Sequence, residues 1–163
     1  TLVLDNMTYL AENKMMHIMK FEQELSPRTG ELNKMAMFGK LNRWLYDFTL
    51  MNLCSFPGNL VITAHEKLES DEALEKKPDK SNPVVPSILG GFRDDIGGMV
   101  SLVLYLGKSR TADGKYKYSA RTNLGMGKQA KSRFPNLAEV VDNISYQTLR
   151  SAIETALKTE VKP

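Results

Sequence analysis

The sequence predicts an α/β fold, a mainly parallel sheet with an antiparallel hairpin at one edge, flanked by helices. Three observations predict it. Two short runs of β-branched and aliphatic residues, Thr1–Asp5 and Leu60–Thr63, are separated by two stretches of helical apolar periodicity, the order expected of parallel strands joined by a helical crossover. A Thr111-Ala112-Asp113-Gly114 turn lies between two strand-like runs and signals a hairpin. The chain has 163 residues, 42% apolar and 25% charged, enough for one domain with a real core.

Each element follows from local pattern. Thr1-Leu2-Val3-Leu4-Asp5 reads as a buried parallel strand ending in a carboxylate. Residues 8 to 24 carry Leu10, Met15, Ile18, Met19 and Phe21 at roughly helical spacing, and Ser26-Pro27 and Thr29-Gly30 end that pattern. A second helix is expected from Leu32 to Leu53, with Met37, Leu41, Leu45 and Phe48 on one face. The nine methionines fit core packing on these faces, or a promiscuous Met-rich surface. Pro57-Gly58-Asn59 turns the chain into a buried strand, Leu60-Val61-Ile62-Thr63, which ends in Ala64-His65-Glu66. Residues 67 to 86 are charged and Pro-rich and read as a surface loop. Ile88 to Met99, with four glycines, suits a short helix and a turn. Val100 to Leu106 and Lys115 to Arg121 are the hairpin strands, and Lys128 to Arg133 a further short strand. Asn143-Ile144-Ser145 precedes a final helix with Leu149, Ile153 and Leu157 on one face.

Composition restricts function. One cysteine, Cys54, forms no intramolecular disulfide and is expected as a packed, inert thiol. Two histidines and one cysteine give no zinc-ligand spacing. No run of eighteen apolar residues is present, so no membrane span is expected. The net charge of +3 fits an anionic partner or an ordinary surface excess.

The candidate chemistry sits at strand ends. In open α/β sheets the ligand site lies beyond the carboxyl ends of the strands. Asp5 is placed to hold Mg²⁺, directly or through water, or else to cap the following helix. His65 ends the second strand and could meet a phosphate or the attacking water, or serve only the loop. Lys131 and Arg133, two residues apart, share a strand face and suit phosphoryl charge, or merely solvate a basic strand. Between residues 108 and 133 lie Lys108, Arg110, Lys115, Lys117, Arg121, Lys128, Lys131 and Arg133, with Tyr116 and Tyr118 interleaved. Lys115, Tyr116, Lys117, Tyr118 and Arg121 are the core of a candidate single-strand path, or an exposed hairpin with ordinary lysines.

Leu2-Val3-Leu4-Asp5-Asn6, two helical stretches, then Leu60-Val61-Ile62-Thr63-Ala64-His65-Glu66 together resemble the RecA-like P-loop ATPases. The first segment is similar to their Walker B strand and the second to the neighbouring strand that carries a γ-phosphate sensor. The resemblance is nearest to the phage-encoded RecA-like ATPases of single-strand-annealing recombination. It continues through Leu89-Gly90-Gly91-Phe92, the Val100 to Leu106 strand and Lys131-Ser132-Arg133-Phe134-Pro135, and covers residues 1–137. It implies a RecA-like P-loop NTPase core fragment over 1–137, with residues 138–163 a C-terminal helix on or beyond that core.

The resemblance further implies ATP and Mg²⁺ as cofactors, held in part by Asp5, Asn6 and Thr63, with His65 as sensor. Lys131 and Arg133 match the Lys-x-Arg element through which ring helicases reach a neighbour's γ-phosphate. Implied partners are single-stranded DNA and further copies in a ring or filament, in the cytoplasm of a bacterial host. Two departures stand out. No G-x-x-x-x-G-K-[ST] occurs, Gly125-Met126-Gly127-Lys128 being only an echo, and Asp5 is followed by Asn6 where a Walker B glutamate would stand. The chain also begins at Thr1 within an apolar run. A preceding segment, or another chain, is therefore expected to complete the sheet and bring the phosphate loop. The alternatives are a ring helicase or packaging motor, whose hydrolysis would rise with DNA and drive movement, and a non-enzymatic DNA-binding or scaffold module with relic ATPase residues.

Overall fold

A computed structural model of the chain describes residues 1–68, 84–122 and 130–159. Most of the charged Pro-rich loop and the Gly125–Lys128 echo lie outside the described residues. The chain forms two compact units, Thr1–Lys67 with Pro86–Met99, and Leu68–Val85 with Val100–Pro163.

The first unit holds the expected parallel pair. Strand β1 (Leu2–Leu4) runs parallel to β2 (Leu60–Ile62), with Leu2 opposite Leu60, Val3 opposite Val61 and Leu4 opposite Ile62. Between them lie α1 (Met7–Phe21) and α2 (Lys34–Asp47). Asparagine starts each helix. The Asn6 carbonyl oxygen accepts from the Tyr9 amide at 3.0 Å, and that of Asn33 from the Ala36 amide at 3.1 Å. Between the helices, Gly30 takes a φ of +69°, which a side chain disfavours, and the Ser26 amide donates to the Glu31 carbonyl. Lys40 of α2 ties the helices at that end, meeting Glu24 at 2.7 Å and the Glu22 carbonyl at 3.0 Å just past α1, while Lys14 pairs with Glu22 (2.8 Å) within the end of α1.

The core forms where one stripe of each helix meets. Met7, Ala11, Met15 and Ile18 of α1 pack with Met37, Leu41 and Leu45 of α2 and with Ile88, Phe92 and Ile96, the last two on α3 (Phe92–Met99). Leu4, Leu60 and Ile62 lay the inner face of the strand pair on this cluster. The start of α3 is tailored to α2. Gly90 takes a φ of +79°, and a Cβ there would collide with the Asn42 side chain, whose oxygen accepts from the Phe92 amide at 3.4 Å.

Several expectations are corrected here. The strand pair is buried on one face only. Val3 and Val61 stay 57% and 44% exposed, because no layer of the described residues in this unit covers them. Met19 and Phe21 face solvent, since the buried stripe of α1 runs from Met7 through Ala11 and Met15 to Ile18. Met16, Met35 and Met51 are exposed as well, so the methionines divide between core and surface. Cys54 is exposed rather than packed, because Leu53 takes the inward position at the end of its helical segment.

Helix α2 passes directly into a π-helical turn, Phe48–Leu53, closed by the Cys54 amide on the Thr49 carbonyl at 2.8 Å. Thr49 is fully buried, and among the described residues its hydroxyl has no hydrogen-bond partner. An unpaired buried hydroxyl carries a desolvation penalty of roughly 1–3 kcal/mol. Thr49→Val keeps the branched shape and removes that penalty. Its expected effect is a gain of about 1 kcal/mol, or roughly 3 °C in thermal midpoint for a chain of this size. Unchanged or lower stability in a calorimetric melt would show that the hydroxyl is satisfied.

The second unit is antiparallel. Short strands β3 (Glu66–Leu68) and β4 (Val84–Pro86) flank the undescribed stretch before it, where the sequence suggested loop throughout. Strand β5 (Leu102–Val103) pairs with β8 (Lys131–Ser132), Leu102 opposite Ser132 and Val103 opposite Lys131. Strands β6 (Tyr105–Arg110), β7 (Tyr116–Arg121) and β9 (Val140–Asp142) form a sheet in the order β6-β7-β9. The expected hairpin is present. Its turn is closed by the Thr111 amide on the Lys115 carbonyl at 2.8 Å, with Gly114 at a φ of +80°. The run from Val100 to Leu106 divides between β5 and β6. The sequence does not predict β9, which covers the second edge of β7.

Helix α4 (Tyr146–Thr159) closes the unit. Ser145 and Thr148 cap it reciprocally, the Thr148 amide donating to Ser145 Oγ at 3.1 Å and the Ser145 amide to Thr148 Oγ1 at 2.7 Å. Its inward residues are Leu149, Ala152, Ile153 and Ala156, whereas Leu157 is 45% exposed. Among the described residues the architecture is therefore α/β with four α-helices and small sheets, and the parallel part is the β1–β2 pair. No helix among them is long and apolar enough to cross a membrane.

Candidate functional site

Parallel pairing in register brings the carboxyl ends of β1 and β2 to one edge. The ladder continues past both strands, the Thr63 amide donating to the Leu4 carbonyl at 3.0 Å and the Met7 amide to the Thr63 carbonyl at 2.8 Å. Asp5, Asn6, Thr63 and His65 therefore stand side by side, although 58 residues separate Asp5 from Thr63. The Thr63 hydroxyl donates to the Asp5 carboxylate. Asp5 is exposed and does not cap α1; Asn6 does.

The orientation of His65 follows from that cap. The Asn6 carbonyl oxygen is committed to the Tyr9 amide, so its NH₂ group faces His65, with 3.2 Å between Nδ2 and Nε2. An amide nitrogen only donates. His65 Nε2 is thus the acceptor, and the neutral ring carries its proton on Nδ1. The His65 backbone amide donates to Thr8 Oγ1 at 3.0 Å, and the Tyr9 ring meets the imidazole edge-on at 5.0 Å and 84°. Sequence reasoning misses Thr8 and Tyr9, whose only signal is their place in the first turn after a capping asparagine.

This edge suits a hard cation. It gathers a carboxylate and a hydroxyl, both oxygen donors, and Mg²⁺ is commonly held by one or two carboxylates together with water and substrate phosphates. Among the described residues no group of three or more His, Cys, Asp or Glu side chains forms a closed metal cage. Asp5 is the residue that would hold the ion, with Thr63 fixing one of its oxygens.

The other candidates lie in the second unit. Lys131 is on β8, and the Arg133 amide extends the ladder by donating to the Ser101 carbonyl at 3.0 Å. Ser132 turns the opposite way, its Oγ accepting from the Phe134 amide at 2.9 Å, so Lys131 and Arg133 share a face.

Four of the five hairpin candidates lie on β7, but not on one face. Tyr116 and Tyr118 point to one side of β7, and Lys117 and Arg121 to the other, where Lys117 pairs with Asp142 at 2.8 Å. Lys115 is in the turn, 3.3 Å from Asp113, whose carboxyl is held below its usual range by the Thr111 hydroxyl first and by Lys115 second. Lys108, outside those five, lies beside Tyr118 across the ladder, with Nζ 3.8 Å from the Tyr116 ring centre and 5.8 Å from that of Tyr118. The Lys128 position is outside the described residues.

Comparison with known proteins bears on the edge of the first unit. No match is found among curated proteins or among solved structures. A family model described as an AAA domain matches residues 1–155, nearly the whole chain. The matched residues include the parallel β1–β2 pair and the Asp5, Thr63 and His65 positions at its carboxyl edge. The chain belongs to the AAA domain family, a P-loop ATPase-like domain.

Proposed function

We propose that the chain is the Walker-B-bearing part of an ATPase of the phage RecA-like type. It acts in DNA recombination or single-strand annealing, on single-stranded DNA, as an oligomer. The observation that carries this reading is the parallel β1–β2 pair, which collects Asp5, Asn6, Thr63 and His65 at one carboxyl edge. When bound there, Mg²⁺ would neutralise phosphate charge. Asp5 holds the ion's place and Thr63 keeps the carboxylate oriented. His65 offers its Nδ1–H to a γ-phosphate oxygen. Asn6 acts as a positioning residue, because its NH₂ group keeps Nε2 an acceptor. Lys131 and Arg133 serve the site of a neighbouring subunit.

The phosphate-binding loop is then supplied from outside these 163 residues, by the same chain or by another. The exposed Val3 and Val61 face, and the edge of β2 that has no ladder partner among the described residues, are where its strand and covering layer would pack. Parallel sheets are ordinarily covered on both faces.

The test separates chemistry from packing. His65→Ala in the whole protein is expected to lower kcat on the order of 10- to 100-fold with nucleotide affinity nearly unchanged, the signature of a contact made at the reacting phosphate. Asn6→Asp leaves the helix cap in place, since Asp and Asn cap equally well, but sets an acceptor against Nε2. Its turnover should fall in parallel while its thermal midpoint holds. Normal turnover in both variants would reduce His65 to a loop residue and remove the sensor from the proposal.

A further inference from the structure

The β6–β7 hairpin presents a face that the chemistry of the first unit does not use. Register places Leu106, Lys108, Arg110, Tyr116 and Tyr118 on it together. Leu106, Tyr116 and Tyr118 are 63%, 59% and 51% exposed, an unusual concentration of apolar and aromatic surface on six-residue strands. The charge on this face is of one sign. Strands β6, β7 and β9 contain a single acid, Asp142, and it lies on the opposite face, paired with Lys117. Lys108 rests over the tyrosine rings. The guanidinium of Arg110 donates to the Gly114 carbonyl at 3.3 Å, a neutral acceptor.

We propose that this face binds single-stranded DNA, with bases stacking on Tyr116 and Tyr118 and phosphates paired by Lys108 and Arg110. The inference rests on the single-strand reading above and assigns it to one side of one hairpin. Aromatic rings accept any base, and the adjoining cations track the backbone. Two residues along a strand span about 7 Å. That is about twice the roughly 3.4 Å step of stacked bases. The two rings therefore suit bases drawn apart from one another, as in an unstacked single strand, rather than the closed stack of a duplex. A phosphate would also draw the Lys108 ammonium off the rings and open them to a base. Lys117 and Arg121, on the far side, play no part in this binding.

The experiment measures anisotropy of a labelled oligo-dT, against salt, with the whole protein. The double variant Tyr116→Ala/Tyr118→Ala is expected to weaken binding on the order of 100-fold, about tenfold for each ring. Tyr116→Phe/Tyr118→Phe should bind normally, and Lys117→Ala should change little. Lys108→Ala should make the salt dependence shallower by about 0.7 in log–log slope, the change expected when a single strand gives up one phosphate partner. Tyr116→Trp supplies a second readout that needs no truncation, since oligo-dT should quench the introduced indole beyond any change at Trp44. Unaltered protein that binds no oligo-dT would sink both this face and the single-strand reading. Equal binding by the unaltered protein and the double alanine variant, or binding without quenching of the introduced indole, would overturn this face alone. So would equal affinity for duplex, or a double variant that changes only the sedimentation coefficient, which would make the face a subunit contact.

Discussion

Arg133→Ala is expected to abolish ATP hydrolysis while leaving each subunit folded and able to bind nucleotide. An arginine reaching a neighbour's γ-phosphate is worth on the order of 10³- to 10⁵-fold in turnover. Arg133 is exposed, and it joins the β8 ladder through its backbone amide, which donates to Ser101, so truncating the side chain spares the ladder. Mixing this variant with Asp5→Asn should restore part of the activity, because some interfaces then join an intact Asp5 site to an intact Arg133. A residue serving its own subunit gives no such rescue. The decisive curve is ATPase rate against mixing ratio without DNA. Parental basal hydrolysis in Arg133→Ala, with weaker single-strand binding, would transfer the residue to nucleic-acid contact.

Asp5→Asn should lower Mg²⁺-dependent turnover on the order of 100-fold or more, several kcal/mol of charge stabilisation in the transition state being the usual contribution of a positioned metal. Stability should hardly change. The asparagine keeps an oxygen to accept from Thr63, and α1 is capped by Asn6 rather than by Asp5. The variant thus separates charge from shape. A Mg²⁺ titration of turnover beside a thermal melt checks both, and full activity at saturating Mg²⁺ would leave Asp5 as no more than an anchor for Thr63.

Much of the fold is legible in the sequence where a local pattern is long enough to repeat. The helices, the β1 and β2 runs and the Thr111–Gly114 turn all carry such patterns, and all are present. β9 offers only two aliphatic residues, Val140 and Val141, between Glu139 and Asp142, against three in a row in β1 and β2, and β3 and β4 border a charged, Pro-rich stretch that reads as loop. The inner stripe of α1 escapes the pattern because it includes Ala11, a weak apolar signal, and begins at Met7 immediately after the cap. In the site, Asp5 and His65 can be named from their places after strands. The contact between Asn6 and His65 cannot, because it joins residues 59 apart in sequence and depends on which way one amide is turned. Strand alternation divides the hairpin candidates between two faces, but which face carries an acid emerges only once Lys117 meets Asp142, 25 residues away.

The π-helical turn after α2 resolves a question of phase. The inward residues Met37, Leu41, Leu45, Thr49 and Leu53 recur every fourth position. An α-helix advances about 100° per residue, so each step of four overshoots a full turn by about 40°. Over four such steps Leu53 would stand about 160° from Met37, on the side away from the core. All five are nevertheless buried. The wider turn over Phe48–Leu53, with its bonds reaching one residue further, takes up more residues per revolution and winds the stripe back. A strict four-residue period in this sequence is therefore the imprint of a helix that changes pitch partway along, and the added width of that turn is what returns Leu53 to the cluster it shares with Met37.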